Sequence, residues 1–299
     1  MILDCAVIGG GPAGMNASLV LGRSRRKTIL FDDNQPRNAV TNESHGFLTR
    51  DGITPSEFRR LGQEDLKKYP DVTIKKQRVT EVHKVQQLFT MQTEAGEVYR
   101  SKKLILATGL KETLPNVKQM QQFYGTSIFS CPFCDGWELR DRRLAIIADN
   151  THAFHMAKVA FNWSKDLILC TNGNYILCSE QQDLLEKKGI HVYVESITSL
   201  VGENGYLEKI IFADGTEILR DGGFVVPEMK QASSIGESLG CELNEQGGII
   251  TDRIGRTNVD GVFASGDMAI AGPAQLVIAA SEGHKAAIGV NAAFIEEDF

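Results

Sequence analysis

The sequence predicts an α/β fold in two domains, and three observations carry this reading. A strand-like run, Ile2 to Ile8, meets the glycine-rich turn Gly9-Gly10-Gly11-Pro12-Ala13-Gly14 and then the helix-forming segment Ala13 to Arg23. A second strand–helix–strand unit begins at Leu144-Ala145-Ile146-Ile147. The length, 299 residues, exceeds one ordinary core and suits two. Both units have the order of a Rossmann-like nucleotide-binding domain, and the second is expected to be inserted into the first.

The elements follow in order. Lys27 to Phe31 is the second strand of the first unit. A strand ends in Ala107-Thr108-Gly109, and Pro115 shortly after it marks a boundary. In the second unit His152 to Trp163 reads as helix and Asp166 to Cys170 as strand. Glycines and polar residues accumulate from Cys241 to Gly248, where the chain is expected to return. The division is therefore 1–114 and 244–299 for the first domain and 115–243 for the second. A last helix should begin after Gln275 and run to about Ala293, leaving Glu296-Glu297-Asp298 as a solvated tail.

Composition narrows the function. The formal net charge is −6, which does not favour nucleic acid or anionic membranes as partners. No apolar stretch reaches the length of a membrane span. Asp4 stands where a signal peptide needs basic residues, so the expected location is cytoplasmic.

Gly9-x-Gly11-x-x-Gly14 carries the first chemistry. The first glycine permits the tight turn, the second lets the backbone approach a pyrophosphate, and the third lets helix and strand pack. Pro12 and Ala13 lie within the same turn, where free N–H groups at the helix start favour phosphate. Asp32, 23 residues beyond Gly9, is placed to hold a ribose, with Asp33 and Asn38 as further cofactor-binding candidates. The motif alone does not separate one dinucleotide from another.

Of six cysteines, only Cys131 and Cys134 stand two residues apart. A structural zinc site needs four ligands, and no second pair exists, so no metal is expected. A redox dithiol is the leading reading, because two intervening residues let the disulfide ring close. Cys5, Cys170, Cys178 and Cys241 are scattered and read as inert thiols.

Around these residues a family resemblance emerges. Thr257 to Asp267, ending Ala264-Ser265-Gly266-Asp267, resembles the second FAD motif of the flavoprotein disulfide reductases. Ala107-Thr108-Gly109 is similar to another element of that family, and Gln275 matches a position near the flavin ring. Cys131-Pro132-Phe133-Cys134-Asp135-Gly136 resembles the Cys-x-x-Cys-Asp-Gly of the low-molecular-weight thioredoxin reductases, over essentially the whole chain. The resemblance implies FAD as cofactor, with Gly266 and Asp267 at its ribityl-phosphate region. It implies that Cys134 faces the flavin, Cys131 exchanges with the partner and Asp135 moves protons; as a residue, Asp135 also reads as a simple helix cap. It also implies a homodimer. The Pro-Phe filling, Trp137-Glu138 and His45-Gly46-Phe47-Leu48 resemble one branch, which includes flavin dithiol oxidases, and place His45 near the flavin or on a plain surface loop.

The second nucleotide site departs from that family. Ala148-Asp149-Asn150-Thr151 stands where a reductase has its NADPH-binding glycines. Asp149, Asn150 and Thr151 can cap the helix themselves. A carboxylate about 5 Å from a phosphate costs about 3 kcal/mol at an effective dielectric of 20. The next strand ends in Cys170-Thr171-Asn172-Gly173-Asn174, without acid or arginine. NADPH binding is therefore doubtful. The expected function is an FAD-dependent dithiol/disulfide oxidoreductase. Its substrate would be a small dithiol or disulfide, or a thioredoxin-like protein, with oxygen, ferredoxin or flavodoxin completing the cycle. The alternatives are an NADPH-dependent thioredoxin reductase with an atypical site and an FAD-binding redox sensor.

Overall fold

The computed structural model describes residues 2–269 and 273–299. The chain begins β1 (Ile2–Ile8), α1 (Pro12–Arg23), β2 (Thr28–Phe31), α2 (Pro55–Leu66), β3 (Val72–Lys75), β4 (Val79–Val85), β5 (Leu88–Thr93), β6 (Val98–Leu106) and β7 (Leu110–Thr113). It continues α3 (Met120–Phe123), β8 (Ile128–Phe129), α4 (Pro132–Asp135), β9 (Leu144–Ile147), α5 (Ala153–Ala160), β10 (Leu167–Cys170), α6 (Ser179–Glu186) and β11 (His191–Tyr193). Then come β12 (Ile197–Glu203), β13 (Tyr206–Phe212), β14 (Glu217–Leu219), β15 (Gly222–Val225), β16 (Glu228–Gln231), α7 (Ile235–Ser238), β17 (Val262–Ala264) and α8 (Leu276–Asp298). Two compact units result: Met1–Ala39, Gly46–Lys111 and Lys230–Phe299 form one, Val40–His45 and Glu112–Met229 the other.

The first unit is built on the order β3-β2-β1-β6, all parallel, with β17 parallel to the far end of β6. The β4–β5 hairpin adds to β6 antiparallel, at its Val98–Ser101 end. Side chains alternate across this sheet as a period of two requires. Ala6, Ile8, Phe31, Leu104 and Leu106 point to one buried layer; Val7, Leu30 and Ile105 point to another, shared with α1 and α8. A parallel sheet covered on both faces explains why these strands read as unbroken apolar runs.

The second unit holds a parallel sheet, β11-β10-β9-β15-β8, and an antiparallel one, β12-β13-β14. Leu144 and Ile146 of β9 face α5 through Ala153, Ala157 and Ala160, while Ala145 and Ile147 face Leu200 and Ile210 of the antiparallel sheet.

Two elements differ from the sequence reading. The helix expected over His152 to Trp163 spans only Ala153–Ala160, because its ends are turns. The acidic end is solvated as expected, with Glu296 to Asp298 exposed, but it is helical, the last turn of α8. Lys103 Nζ bonds Glu297, and Arg26 lies 4.0 Å from Asp298. Both carboxylates stay more than half exposed beside these basic partners. Among the described residues no helix is long and apolar enough to cross a membrane.

Candidate functional site

In the first unit, three turns meet at the carboxyl ends of β1, β6 and β17. Open α/β sheets bind ligands in this position. Gly9 has φ +115°, and a β-carbon there would stand 2.1 Å from the Ala107 carbonyl oxygen. A β-carbon at Gly14 would meet the Gly9 carbonyl oxygen at 1.8 Å. These two glycines are demanded by the protein's own backbone. Gly11 is different: a β-carbon there would meet nothing within 4 Å. Gly11 is the N-cap of α1, with no side-chain cap and no acid in the first turn. The helix start is thus left to an outside anion, as a pyrophosphate cradle requires.

The other candidates surround this turn. A β-carbon at Gly10 would strike the Asp32 side chain, and one at Gly266 would lie 2.9 Å from Ala13. Thr108 Oγ1 donates to Met268 Sδ at 3.6 Å, and Gly109 takes the left-handed φ of +68°. Asp267 accepts from Arg37 at 3.0 Å. Gln275 is the N-cap residue of α8. Asp33 is exposed and accepts the Gln35 N–H at 3.2 Å; Asn38 lies in the 3-10 turn Arg37–Val40.

Three residues were not legible in the motifs. Arg59 of α2 is buried and donates to Asp32 at 2.5 Å and to Asn34 at 2.8 Å. Gln63, one turn on, reaches Asp32 at 3.3 Å. Asp32 is thus fixed in place from a helix distant in sequence. The only available signal was an arginine on the face of α2 that carries Pro55 and Leu66. Glu282 of α8 accepts the Gly266 N–H at 2.8 Å, and burial pushes its carboxyl above the usual range.

In the second unit, Cys131 and Cys134 form a disulfide at the start of the single-turn helix α4, with Cys131 as N-cap and Pro132 first in the helix. The hydroxyls of Tyr124 and Ser130 both donate to the Glu112 carboxylate, Ser130 at 3.3 Å, which ties down the residue before Cys131. Phe133 and Trp137 are each 65% exposed beside the disulfide. The remaining thiols differ in kind: Cys5, Cys170 and Cys241 are buried, and burial pushes the Cys170 thiol up to about 12. Cys178 is exposed.

Asp135 is buried, and burial pushes its carboxyl up to about 7; His45 opposes the shift and Glu138 adds to it. A carboxyl raised in the folded state favours folding below its ordinary pKa, and that contribution is lost as pH rises to the folded value. Replacing Asp135 by Asn removes this dependence. In urea unfolding, the stability of Asp135→Asn relative to the parent should rise by on the order of 3 kcal/mol between pH 5 and pH 8. A constant difference across that range would show that the carboxyl titrates normally.

The second nucleotide-type turn is built from this unit's own side chains. Ala148 is fully buried in the layer between β9 and α5. Asn150 Oδ1 accepts the His152 N–H at 3.1 Å, while its Nδ2 donates to the Val226 carbonyl at 3.1 Å. After β10, Asn172 Oδ1 accepts the Ile197 N–H at 2.9 Å, and Asn174 Nδ2 donates to the Thr171 and Asn172 carbonyls.

Comparison with known proteins agrees with this architecture. Residues 3–283 match the family described as pyridine nucleotide-disulphide oxidoreductase. The chain is 31% identical to the thioredoxin reductase aclD of Aspergillus oryzae over 97% of its own length and 95% of that protein. A Bacillus anthracis chain named as a candidate thioredoxin reductase, TrxB, superposes with a TM-score of 0.95 at 46% identity, covering 99% of this chain and 100% of that one. The structure of HlmI gives 0.94 at 31%, covering 99% and 93%. The chain therefore belongs to the pyridine nucleotide-disulphide oxidoreductases, with the low-molecular-weight thioredoxin reductase-like members, and is a flavin-dependent oxidoreductase acting on sulfur groups.

Proposed function

We propose that this protein is an FAD-dependent dithiol/disulfide oxidoreductase in which electrons pass between substrate and flavin through Cys131 and Cys134, without NADPH as donor. The observation that carries the reading is Asn150. Its side chain accepts the N–H of His152, the N-cap residue of α5, and is anchored to the Val226 carbonyl, so a fixed amide side chain rather than a bare glycine stands at the turn a pyrophosphate would approach. Buried Ala148 before it and the amide-bonded Asn172 and Asn174 after β10 remove the other two anchors. The cradle formed by Gly9, Gly11 and Gly14, with Pro12, Ala13 and Asp32, fits an adenine dinucleotide, and when bound its flavin supplies a two-electron acceptor.

The chain's own residues do the rest. Cys131 exchanges with the substrate, Cys134 is the partner that communicates with the flavin, and Asp135 accepts and returns thiol protons. The names of the relatives favour a thioredoxin-like protein as the substrate, and a small dithiol or disulfide is the other substrate class of this proposal. Oxygen or a ferredoxin- or flavodoxin-type carrier completes the cycle. An atypical NADPH-dependent reductase is the second reading, favoured by the same names. The roles of the two thiols are tested by substitution. Cys131→Ser should leave a long-wavelength absorbance band between the Cys134 thiolate and oxidised flavin at neutral pH, and Cys134→Ser should lack it. The opposite pattern would reverse the assignment.

A further inference from the structure

The segment Val40–His45 belongs to the second unit, with the disulfide, although the residues on either side of it belong to the first. It brings His45 to α4. His45 Nε2 lies 3.8 Å from Glu138 and 3.5 Å from Glu43. These groups form a gradient of exposure. Asp135 is buried, the His45 side chain is 17% exposed, and those of Glu138 and Glu43 are 40% and 56% exposed. His45 and Glu138 act electrostatically on Asp135, and Glu43 and Glu138 are among the carboxylates beside His45.

Oxidation of a dithiol at this disulfide needs such a route. The first substrate thiol gives its proton to Asp135, and its thiolate attacks Cys131 Sγ. The Cys131–Cys134 bond breaks, and its electron pair stays on Cys134 Sγ. The second substrate thiol then loses its proton, and its thiolate attacks the substrate sulfur bonded to Cys131. That bond breaks with its pair on Cys131 Sγ. The substrate has lost two electrons, the cysteine pair has gained them, and two protons have been handed over. With both cysteines left as thiolates, Asp135, which holds one proton, passes the first on before it takes the second.

We propose that His45 is a positioning residue that empties Asp135, passing the first proton through its imidazole to Glu138 and Glu43 and so to solvent. This rests on the reading of Cys131–Cys134 as the substrate's point of entry. It gives His45 a role at the thiols rather than at the flavin ring.

The test follows the disulfide itself. The oxidised holoprotein is mixed anaerobically with dithiothreitol, quenched with an alkylating agent, and labelling of Cys131 and Cys134 is read by mass. His45→Ala should slow reduction about 100-fold at pH 7, the size of a lost acid–base function. The loss should shrink above pH 9, where substrate thiols ionise unaided, and added imidazole should restore at least about tenfold of it. His45→Gln, which keeps a polar side chain of similar length but carries no proton, should show the same pH profile. Glu43→Gln with Glu138→Gln together should also reproduce it. A loss that is equal at all pH values and unmoved by imidazole, or no loss, would overturn the proposal while the parent protein still reacts. Failure of the parent itself to be reduced at any pH would instead overturn the reading of the pair as the entry point, and the proposal with it.

Discussion

Gly11→Val should yield a folded protein that does not retain flavin, whereas Gly14→Val should fail to accumulate as folded protein. The two glycines belong to one motif, but different partners demand them. At Gly14 an added β-carbon falls 1.8 Å from the backbone oxygen of Gly9, which cannot move because Gly9 is itself pressed against Ala107. Overpacking against backbone exceeds what a core absorbs by side-chain adjustment. At Gly11 the β-carbon meets no protein atom within 4 Å, and φ of −77° is open to any residue. A valine there costs the fold little but occupies the space in front of the uncapped α1 terminus. Losing two charge-assisted hydrogen bonds to a pyrophosphate costs about 3 kcal/mol or more, at least about a hundredfold in affinity. The ratio of flavin to protein absorbance after purification measures this, and flavin released from the parent protein should be FAD. A Gly11→Val protein with full flavin content would remove the first unit's turn from the cofactor site.

The parts that were legible in the sequence are local. Three glycines at fixed spacing, two cysteines around Pro-Phe, and unbroken apolar strands each declare themselves within a dozen residues. Asn150 reads in the sequence as a cap of α5, but the N-cap is His152, without a side-chain cap bond, and Asn150 instead accepts the His152 N–H. What escaped depends on packing between distant segments. Arg59 reaches Asp32 across 27 residues, because α2 lies over the end of β2. Glu282 reaches Gly266 from the far side of the last helix. Nothing in the run His45-Gly46-Phe47 says that its histidine stands beside Glu138, 93 residues on. The basic neighbours of the acidic end escaped for the same reason, since Lys103 and Arg26 are remote in sequence.

The contrast between the two nucleotide-type turns is the centre of the functional reading. Neither helix start has a side-chain cap; the first stands behind an open glycine, whereas before the second Asn150 takes the N–H of the N-cap residue His152, behind a buried alanine. Hydride transfer needs the nicotinamide held against the flavin, and that positioning depends on the anchors the second turn lacks. On the proposed reading a dithiol needs none of them, because it enters at Cys131. Anaerobic stopped-flow reduction of the flavin compares the donors directly. A small dithiol should bleach the flavin at least about a hundredfold faster than NADPH at equal concentration, in keeping with the roughly 3 kcal/mol cost of a carboxylate at the phosphate position. Fast, saturable bleaching at micromolar NADPH would contradict the account and restore an NADPH-driven reductase.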